Sequence, residues 1–277
     1  MTTNMRGWPH KASHGLTEGA TIATASDMFF PIRDHNPSRR VPYVTYALLA
    51  ANILIFIGYY GLFSEPRALS NFFLTWGLVP AQLSSGQGYH ALITSMFLHG
   101  GIMHLIGNML FLWIFGDNLE DQMGHSKFLG FYLLGGIGAS FLQYVTGPLS
   151  PVPVIGASGA IAAVLGGYLL LFPRAKVDIL MILVVYFRVF TVPAWVMLGL
   201  WFGMQLFNGV INLGATGGGV AYWAHAGGFI VGLLLVLPIW TRQGGTRFWA
   251  RTHGHPDHPE AQYRLVKSSV PKTGRKR

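Results

Sequence analysis

The chain has 277 residues, of which 51% are hydrophobic and only 10% are charged, whereas a soluble globular domain carries about a quarter charged residues. Its formal net charge is +9, but the basic residues gather at the two ends, which argues against a nucleic-acid-binding face and is typical of topology signals and contact with anionic lipid. The sequence contains no cysteine, which excludes disulfides and Cys-ligated metals, and the composition predicts an integral membrane protein.

Six segments are apolar and close in length to the roughly 20 residues that a membrane-spanning helix needs. In chain order they are 44–63, 102–115 (preceded by apolar residues from position 91), 128–145, 156–172, 192–213 and 222–240. The sequence therefore predicts an all-α, polytopic bundle of six transmembrane helices over residues 44–240. A polar N-terminal tail, 1–43, and a basic C-terminal tail, 241–277, flank this bundle.

Two further stretches are interpreted as interfacial rather than spanning. Residues 65–90 mix apolar pieces with prolines and polar residues, and are too polar to span. Residues 177–190 are apolar but short, and they include Asp178 and Arg188. Apolar runs of 10–14 residues are more often interfacial than spanning.

The positions of Lys and Arg predict the orientation of the six spans. With the N-terminus in the cytoplasm, every basic residue except Arg67 falls on the cytoplasmic side, as the positive-inside rule demands. We therefore expect both termini in the cytoplasm. The second, fourth and sixth spans then all run from the outer face inward, so residues near their starts lie at a similar depth.

Four polar residues occupy these three starts. His104 and Asn108 lie in the second span, Ser158 opens the fourth, and His225 lies near the start of the sixth. Polar side chains inside a membrane are costly and are candidates for function. Their shared depth makes the four residues candidates for one site in the outer part of the membrane.

Ser158 lies within Gly156-Ala-Ser-Gly159, where a helix is expected to begin. Backbone N–H groups at a helix N-terminus are unpaired and the helix dipole is positive there. A serine in this position has its hydroxyl beside donors suited to an oxyanion. The alternative is a run of small residues for close helix packing, since Gly159, Ala163 and Gly167 form a small-xxx-small stripe.

His225 lies beside a second stripe of small residues, formed by Ala224, Gly228 and Gly232. Two such stripes allow two helix backbones to approach closely. An imidazole on one helix is then able to hydrogen-bond a serine hydroxyl on the other, the arrangement that activates a serine nucleophile. The alternative is a structural histidine bonded to a backbone carbonyl.

His104 and Asn108 are four residues apart, so both project from one face of their helix. Both side chains donate hydrogen bonds, and a pair of donors facing Ser158 suits a tetrahedral oxyanion. The alternative is a polar clamp between helices.

These residues resemble the rhomboid family of intramembrane serine proteases over roughly residues 41–240. The resemblance rests on three motifs in this order: His99-Gly-Gly-Ile-Met-His104-Leu-Ile-Gly-Asn108, Gly156-Ala-Ser158-Gly159, and Ala224-His225-Ala-Gly-Gly228 followed by Gly232. It implies a six-helix bundle with a water-filled site that opens outward and a Ser–His dyad without an acidic third member.

The resemblance also implies a role for each matching residue. Ser158 matches the family's nucleophile and His225 its general base, while His104, Asn108 and the backbone N–H of Ser158 match the oxyanion donors. Among the glycines, Gly156 matches the one that keeps the oxyanion site open, and Gly228 and Gly232 match those that pack closely beside the base.

By the same resemblance, we expect peptide-bond hydrolysis in or near the bilayer, on single-span transmembrane protein substrates. No cofactor and no metal is expected, and the partners are substrate and membrane lipid rather than nucleic acid. We expect the membrane to be a bacterial inner membrane.

The sequence departs from the family pattern at two positions. His90-Ala91 stands where many members have Trp-Arg, near the end of the membrane-embedded first loop. Ala162 stands where some members have a tyrosine that packs on the base. The sequence therefore identifies no residue that orients His225.

Two other functions remain open at this point. A catalytically inactive relative that binds transmembrane helices shares the fold but usually lacks the serine or the histidine, both of which are present here. A proton-coupled transporter would use His104 and His225 as a relay, although repeated halves and broken midplane helices, often found in such folds, are not visible. Reactivity of the serine distinguishes the protease from both.

Overall fold

The computed structural model describes residues 29–183, 186–213 and 219–255, most of which are helical. The α-helices in these ranges are α1 (Tyr43–Tyr59), α2 (Pro66–Trp76), α3 (Pro80–Ser84), α4 (Ala91–Thr94), α5 (Ile102–Met123), α6 (His125–Thr146), α7 (Ser158–Leu171), α8 (Ala194–Ile211), α9 (Tyr222–Arg242) and α10 (Thr246–Thr252). The strands are β1 (Phe29–Asp34), β2 (Lys176–Leu183) and β3 (Tyr186–Pro193).

Five helices in the described ranges are long and apolar enough to cross a membrane, namely α1 with the 3-10 turn that follows it, α5, α6, α8 and α9. The chain is therefore a multi-pass membrane protein. Each of the six predicted segments contains a helix, but the fourth, α7, has only 14 residues. That length is about 21 Å, whereas the hydrocarbon core is about 30 Å thick, so the count of six spans stays a prediction.

Helix α7 is the centre of the bundle, because α5, α6, α8 and α9 all pack against it and bury nearly all of its side chains. Its closest neighbour is α9. A Cβ atom added to Gly228 would lie 2.0 Å from the carbonyl oxygen of Gly159, and one added to Gly232 would lie 2.0 Å from that of Ala163. Glycine lets the two backbones come this close, which holds the start of α9 against the start of α7.

Helix α5 continues well beyond position 115, where the predicted second span ends. The extension is polar and contains the buried Glu120. The Glu120 carboxylate accepts hydrogen bonds from the backbone N–H groups of Val44 and Thr45, each at 2.8 Å, and from the Thr45 hydroxyl at 2.7 Å. The first N–H groups of a helix have no partner within it, so Glu120 caps α1 and ties it to α5.

A three-stranded antiparallel sheet in the order β1-β2-β3 corrects the prediction of an all-α fold. Strand β1 comes from the polar N-terminal stretch, and β2 and β3 form a hairpin from the residues 177–190 that were expected at the interface. Asp178 on β2 accepts hydrogen bonds from Arg33, His35 and Thr191 at 2.6 to 2.9 Å. The pairing of β1 with β2 joins residues 145 positions apart, so no local pattern predicts it.

The predicted interfacial stretch 65–90 contains two short helices. Pro66 and Pro80, which interrupt its apolar pattern, each stand at the start of a helix, where a missing N–H costs nothing. At its end, the Nε2 atom of His90 lies 2.8 Å from the carbonyl oxygen of Thr75. Thr94, in α4, donates its hydroxyl to the carbonyl oxygen of Trp76 at 2.6 Å. These bonds hold the stretch against α4.

The contact between β1 and α7 makes the stability of the protein depend on pH. The Asp34 carboxylate accepts a hydrogen bond from the Tyr168 hydroxyl at 2.7 Å. Burial raises the pKa of Asp34 from 3.8 to about 7, while the bond from Tyr168 lowers it and the nearby Asp117 raises it. Because the folded pKa lies above the unfolded one, this contribution to stability is complete below pH 3.8 and is lost as pH rises towards 7.

We expect Asp34→Asn to raise the unfolding temperature at pH 8. The decrease of this temperature between pH 4 and pH 8 should be smaller in the variant than in the wild type. A shift of about three units corresponds to at most about 4 kcal/mol. Asp178→Asn is the control, because we expect the opposite effect on stability at neutral pH. Burial raises the pKa of Asp178, but bonds from Thr191, His35 and Arg33 outweigh it and hold this pKa at about 2. This variant should lose stability above pH 4, and equal effects of the two substitutions would contradict the assignment.

Candidate active site

Ser158 is the first residue of α7, and the chain reaches it through a bend at Gly156. The φ angle of Gly156 is +130°, which residues with a side chain rarely adopt. The N–H of Gly156 donates to the carbonyl oxygen of Ser95 at 2.9 Å, which fixes the bend against the segment before α5. The Ser158 hydroxyl and its backbone N–H therefore lie at the positive end of a helix.

His225 lies in the first turn of α9, directly opposite Ser158. The distance between His225 Nε2 and Ser158 Oγ is 2.8 Å, within hydrogen-bonding range. The start of α9 is fixed by the Ala224 N–H, which donates to the Gln143 side-chain oxygen on α6 at 3.0 Å. The structure thus brings together the serine and the histidine that the sequence placed at the starts of different spans.

His104 lies in the first turn of α5 and lines the same cavity as Ser158. Its Nδ1 atom accepts a hydrogen bond from the Gly100 N–H at 3.2 Å, so the neutral ring carries its proton on Nε2. A Cβ atom added to Gly156 would lie 2.9 Å from this Nε2 and 3.4 Å from Ser158 Oγ. The space above Gly156 is therefore bordered by a hydrogen-bond donor and by the serine, and a side chain there would fill it.

Asn108 lies one turn further along α5. Its amide nitrogen donates to the carbonyl oxygen of His104 at 2.9 Å, which leaves one N–H of the amide for another acceptor. Asn108 lines the same cavity as Ser158, His104 and His225. All four predicted polar residues thus border one space.

This cavity has a volume of about 860 Å³. Apart from the two histidines, its lining contains only apolar and uncharged polar side chains among the described residues, including Met103, Phe111 and Ile161. No group of three His, Cys, Asp or Glu residues in those ranges is close enough to hold a metal ion. The site offers a hydroxyl, an imidazole and hydrogen-bond donors next to a chamber lined by apolar and uncharged polar side chains.

The sequence model of the Rhomboid domain matches residues 86–242, which is more than half of the chain and includes every residue of the site. The chain belongs to the rhomboid family. The resemblance expected from the three sequence motifs is therefore confirmed at the level of the family.

Among curated rhomboid relatives, the mitochondrial Rhomboid protein 1 of Saccharomyces cerevisiae is 31% identical over 206 residues, which cover 69% of this chain and 51% of the relative. The mitochondrial Presenilin-associated rhomboid-like protein A of Danio rerio is 33% identical over 47% of this chain and 36% of its own length. Rhomboid protease GluP of Bacillus subtilis is 35% identical over 46% of this chain and 24% of its own length.

The chain thus spans between about a quarter and a half of the length of these relatives. Two of the three are named as mitochondrial, so the comparisons do not support the expected bacterial inner membrane. The membrane in which this rhomboid resides stays a prediction, as does the side on which its termini lie.

Sequence reasoning missed two residues of this rhomboid's site, both on α8. The side-chain oxygen of Gln205 lies 2.8 Å from His225 Nδ1, and the Trp201 ring lies 5.8 Å from the His225 ring at an interplanar angle of 30°. Gln205 was detectable, because it is a polar residue inside an apolar span and therefore costly there. The aromatic Trp201 gives no such signal.

Proposed function

We propose that this rhomboid is an intramembrane serine protease that hydrolyses peptide bonds with Ser158 as nucleophile and His225 as general base. The observation that carries the proposal is the 2.8 Å distance between Ser158 Oγ and His225 Nε2 at the wall of a large cavity without acidic or basic side chains other than histidine among the described residues. A serine paired in this way with an imidazole is the usual form of an activated nucleophile.

The reaction proceeds in two halves. His225 takes the proton of the Ser158 hydroxyl as the oxygen attacks the scissile carbonyl, and it then gives this proton to the leaving amine, which releases the first product. A water molecule enters, His225 takes one of its protons, and the hydroxide attacks the acyl-enzyme ester. The proton returns to Ser158 Oγ as the second product leaves with a carboxyl group, so the enzyme is restored.

The negative oxygen of each tetrahedral intermediate lies above Gly156 in this proposal. His104 Nε2–H borders that space, and in this proposal the backbone N–H of Ser158 and the free amide hydrogen of Asn108 are the other donors. Donors that are already in place stabilise the developing charge without reorganisation. The glycine at position 156 is needed because a Cβ atom would occupy the place of the oxyanion.

The chamber indicates the class of substrate. Its walls carry uncharged side chains, so they suit apolar and small residues rather than charged ones. Since α1, α5, α6, α8 and α9 are long enough to cross a membrane, we infer that α7 completes a six-span bundle and that the substrate is a single-span transmembrane segment. Its scissile carbonyl must leave helical hydrogen bonding to reach Ser158.

Charge supports an orientation of this bundle. The end that carries the sheet is rich in cations, among them Arg33, Arg174 and Lys176, whereas Arg67 lies towards the end that carries the site. By the positive-inside rule, we place the sheet and both termini on the cytoplasmic side and the site near the outer face.

We expect His104→Ala and Asn108→Ala each to lower kcat by about 10² to 10³, the usual cost of one lost oxyanion donor, with little change in KM. The measurement is steady-state cleavage of a fluorogenic transmembrane peptide in detergent. Met103→Ala, which changes a neighbouring residue of the cavity wall without removing a donor, is the matched control. A kcat loss in this control equal to that of the donor variants would contradict the assigned role.

The experiment that tests the function itself is labelling of the purified wild-type protein with a fluorophosphonate, which reacts with activated serines. Covalent labelling in detergent and in lipid bilayers supports the protease. A folded wild-type protein that stays unlabelled under both conditions overturns the proposal in favour of a rhomboid that only binds transmembrane helices.

A further inference from the structure

Helix α8 presents two side chains to His225: Gln205 contacts Nδ1, the ring nitrogen that does not face Ser158, and Trp201 contacts the ring. Trp201 and Gln205 are four residues apart and so lie on one face of α8, and this face packs against α9. Gln205 is 9% exposed, in a helix whose other face is largely open: added Cβ atoms at Gly199 and Gly203 would meet nothing within 4 Å. The one buried polar side chain in this part of α8 is thus aimed at the catalytic centre.

We propose that Gln205 is a positioning residue that selects the reactive tautomer of His225, and that Trp201 holds the plane of its ring. This inference rests on the proposed protease function and deepens it. It supplies the orienting group for which the sequence offered no candidate, and it assigns that group to α8 instead of α7.

The tautomer follows from the atoms in contact. The Gln205 side-chain oxygen lies 2.8 Å from His225 Nδ1, and an amide oxygen only accepts hydrogen bonds. His225 Nδ1 must therefore carry the proton, which leaves a lone pair on Nε2, the atom that lies 2.8 Å from Ser158 Oγ. The opposite tautomer would point an N–H at the serine and would be unable to take its proton.

A neutral amide suits this place better than a carboxylate. The fixed tautomer is the same in a triad with an acidic member, but an unpaired carboxylate buried among apolar helices carries a large desolvation cost. Gln205 holds the ring in the correct state without bringing a charge into the bundle.

Trp201 is the side chain that fixes the plane of the His225 imidazole. Ala162, fully buried on α7, offers only a methyl group near the base, whereas the Trp201 ring centroid lies 5.8 Å from that of His225. The Trp201 ring centroid is itself 6.2 Å from that of Phe229, so the indole packs against a second aromatic ring. The two residues of α8 thus fix the ring by one hydrogen bond and one aromatic contact.

The first test compares Gln205→Leu with Gln205→Glu in fluorophosphonate labelling, with the rate constant of inactivation separated from the binding constant. Loss of one hydrogen bond corresponds to about a tenfold effect. We expect Gln205→Leu to lower the inactivation rate constant about tenfold at an unchanged binding constant. Gln205→Glu, whose protonated carboxyl is neutral and keeps an acceptor oxygen, should restore this rate constant to within a few-fold. Met204→Leu, on the exposed side of α8, is the control.

The second test does not depend on activity. In protein with ¹⁵N-labelled histidines, the His225 signal, identified by its loss in His225→Ala, should show a proton on Nδ1 in the wild type and a mixture of tautomers in Gln205→Leu. A wild-type ring protonated on Nε2 overturns the inference, and so does a Gln205→Leu variant that labels at the wild-type rate. A wild type with Nδ1 protonated but no labelling would instead overturn the protease, while the hydrogen bond from His225 to Gln205 and the tautomer that it fixes would stand.

Discussion

Ser158→Ala is expected to abolish covalent labelling by a fluorophosphonate and to lower the rate of peptide hydrolysis by on the order of 10⁴ to 10⁶, because no other group in the site replaces the attacking oxygen. His225→Ala should reduce both by a similar factor, since Ser158 Oγ would keep its proton. The two substitutions together should cost no more than either alone, because nucleophile and base act as a unit.

The control for these variants is Ser95→Ala. Ser95 is buried beside the site, and its carbonyl oxygen accepts the hydrogen bond of the Gly156 N–H, but its side chain has no part in the proposed dyad. This variant should label like the wild type. Labelling that persists in Ser158→Ala would show that another nucleophile reacts, and a full effect of Ser158→Ala with none of His225→Ala would remove the histidine from the mechanism.

The placement of the four polar residues at one site could be predicted, because it depends only on the number of spans and on the side of the membrane that carries the basic residues. Alternating spans and one-sided charge put the starts of the second, fourth and sixth segments at one end, and the structure finds Ser158, His225, His104 and Asn108 around one cavity there. Helix periodicity and charge asymmetry are local properties, and a membrane restricts a chain to few arrangements of its spans.

The sheet and the orienting group were not open to prediction in the same way. Strand β1 pairs with β2 across 145 positions, and no local sequence pattern identifies the partner of one short strand that lies so far away in the chain. Gln205 was visible as a polar residue in an apolar span, but only the packing of α8 on α9 places its side-chain oxygen at His225 Nδ1. Distances of this kind depend on helix rotation, which hydropathy does not determine.

Gly232→Ala is expected to prevent the native packing of α7 against α9, and with it all activity. The added Cβ atom would lie 2.0 Å from the carbonyl oxygen of Ala163 and 2.6 Å from the Ala163 Cα and carbonyl carbon. These are backbone atoms, so no side chain is able to move aside and the helices must separate. Overpacking usually costs about 1–3 kcal/mol and sometimes more, and we expect a rigid backbone contact to exceed that range.

The measurement is thermal unfolding in detergent followed by circular dichroism, together with fluorophosphonate labelling. Gly203→Ala on α8 is the matched control, because its Cβ atom would meet nothing within 4 Å, and alanine favours the helix. It should unfold at or above the wild-type temperature. Since the same α7–α9 contact holds His225 Nε2 against Ser158 Oγ, any folded Gly232→Ala protein should have lost labelling along with stability. If Gly232→Ala kept both, the close approach of the two helices would not be what forms the site.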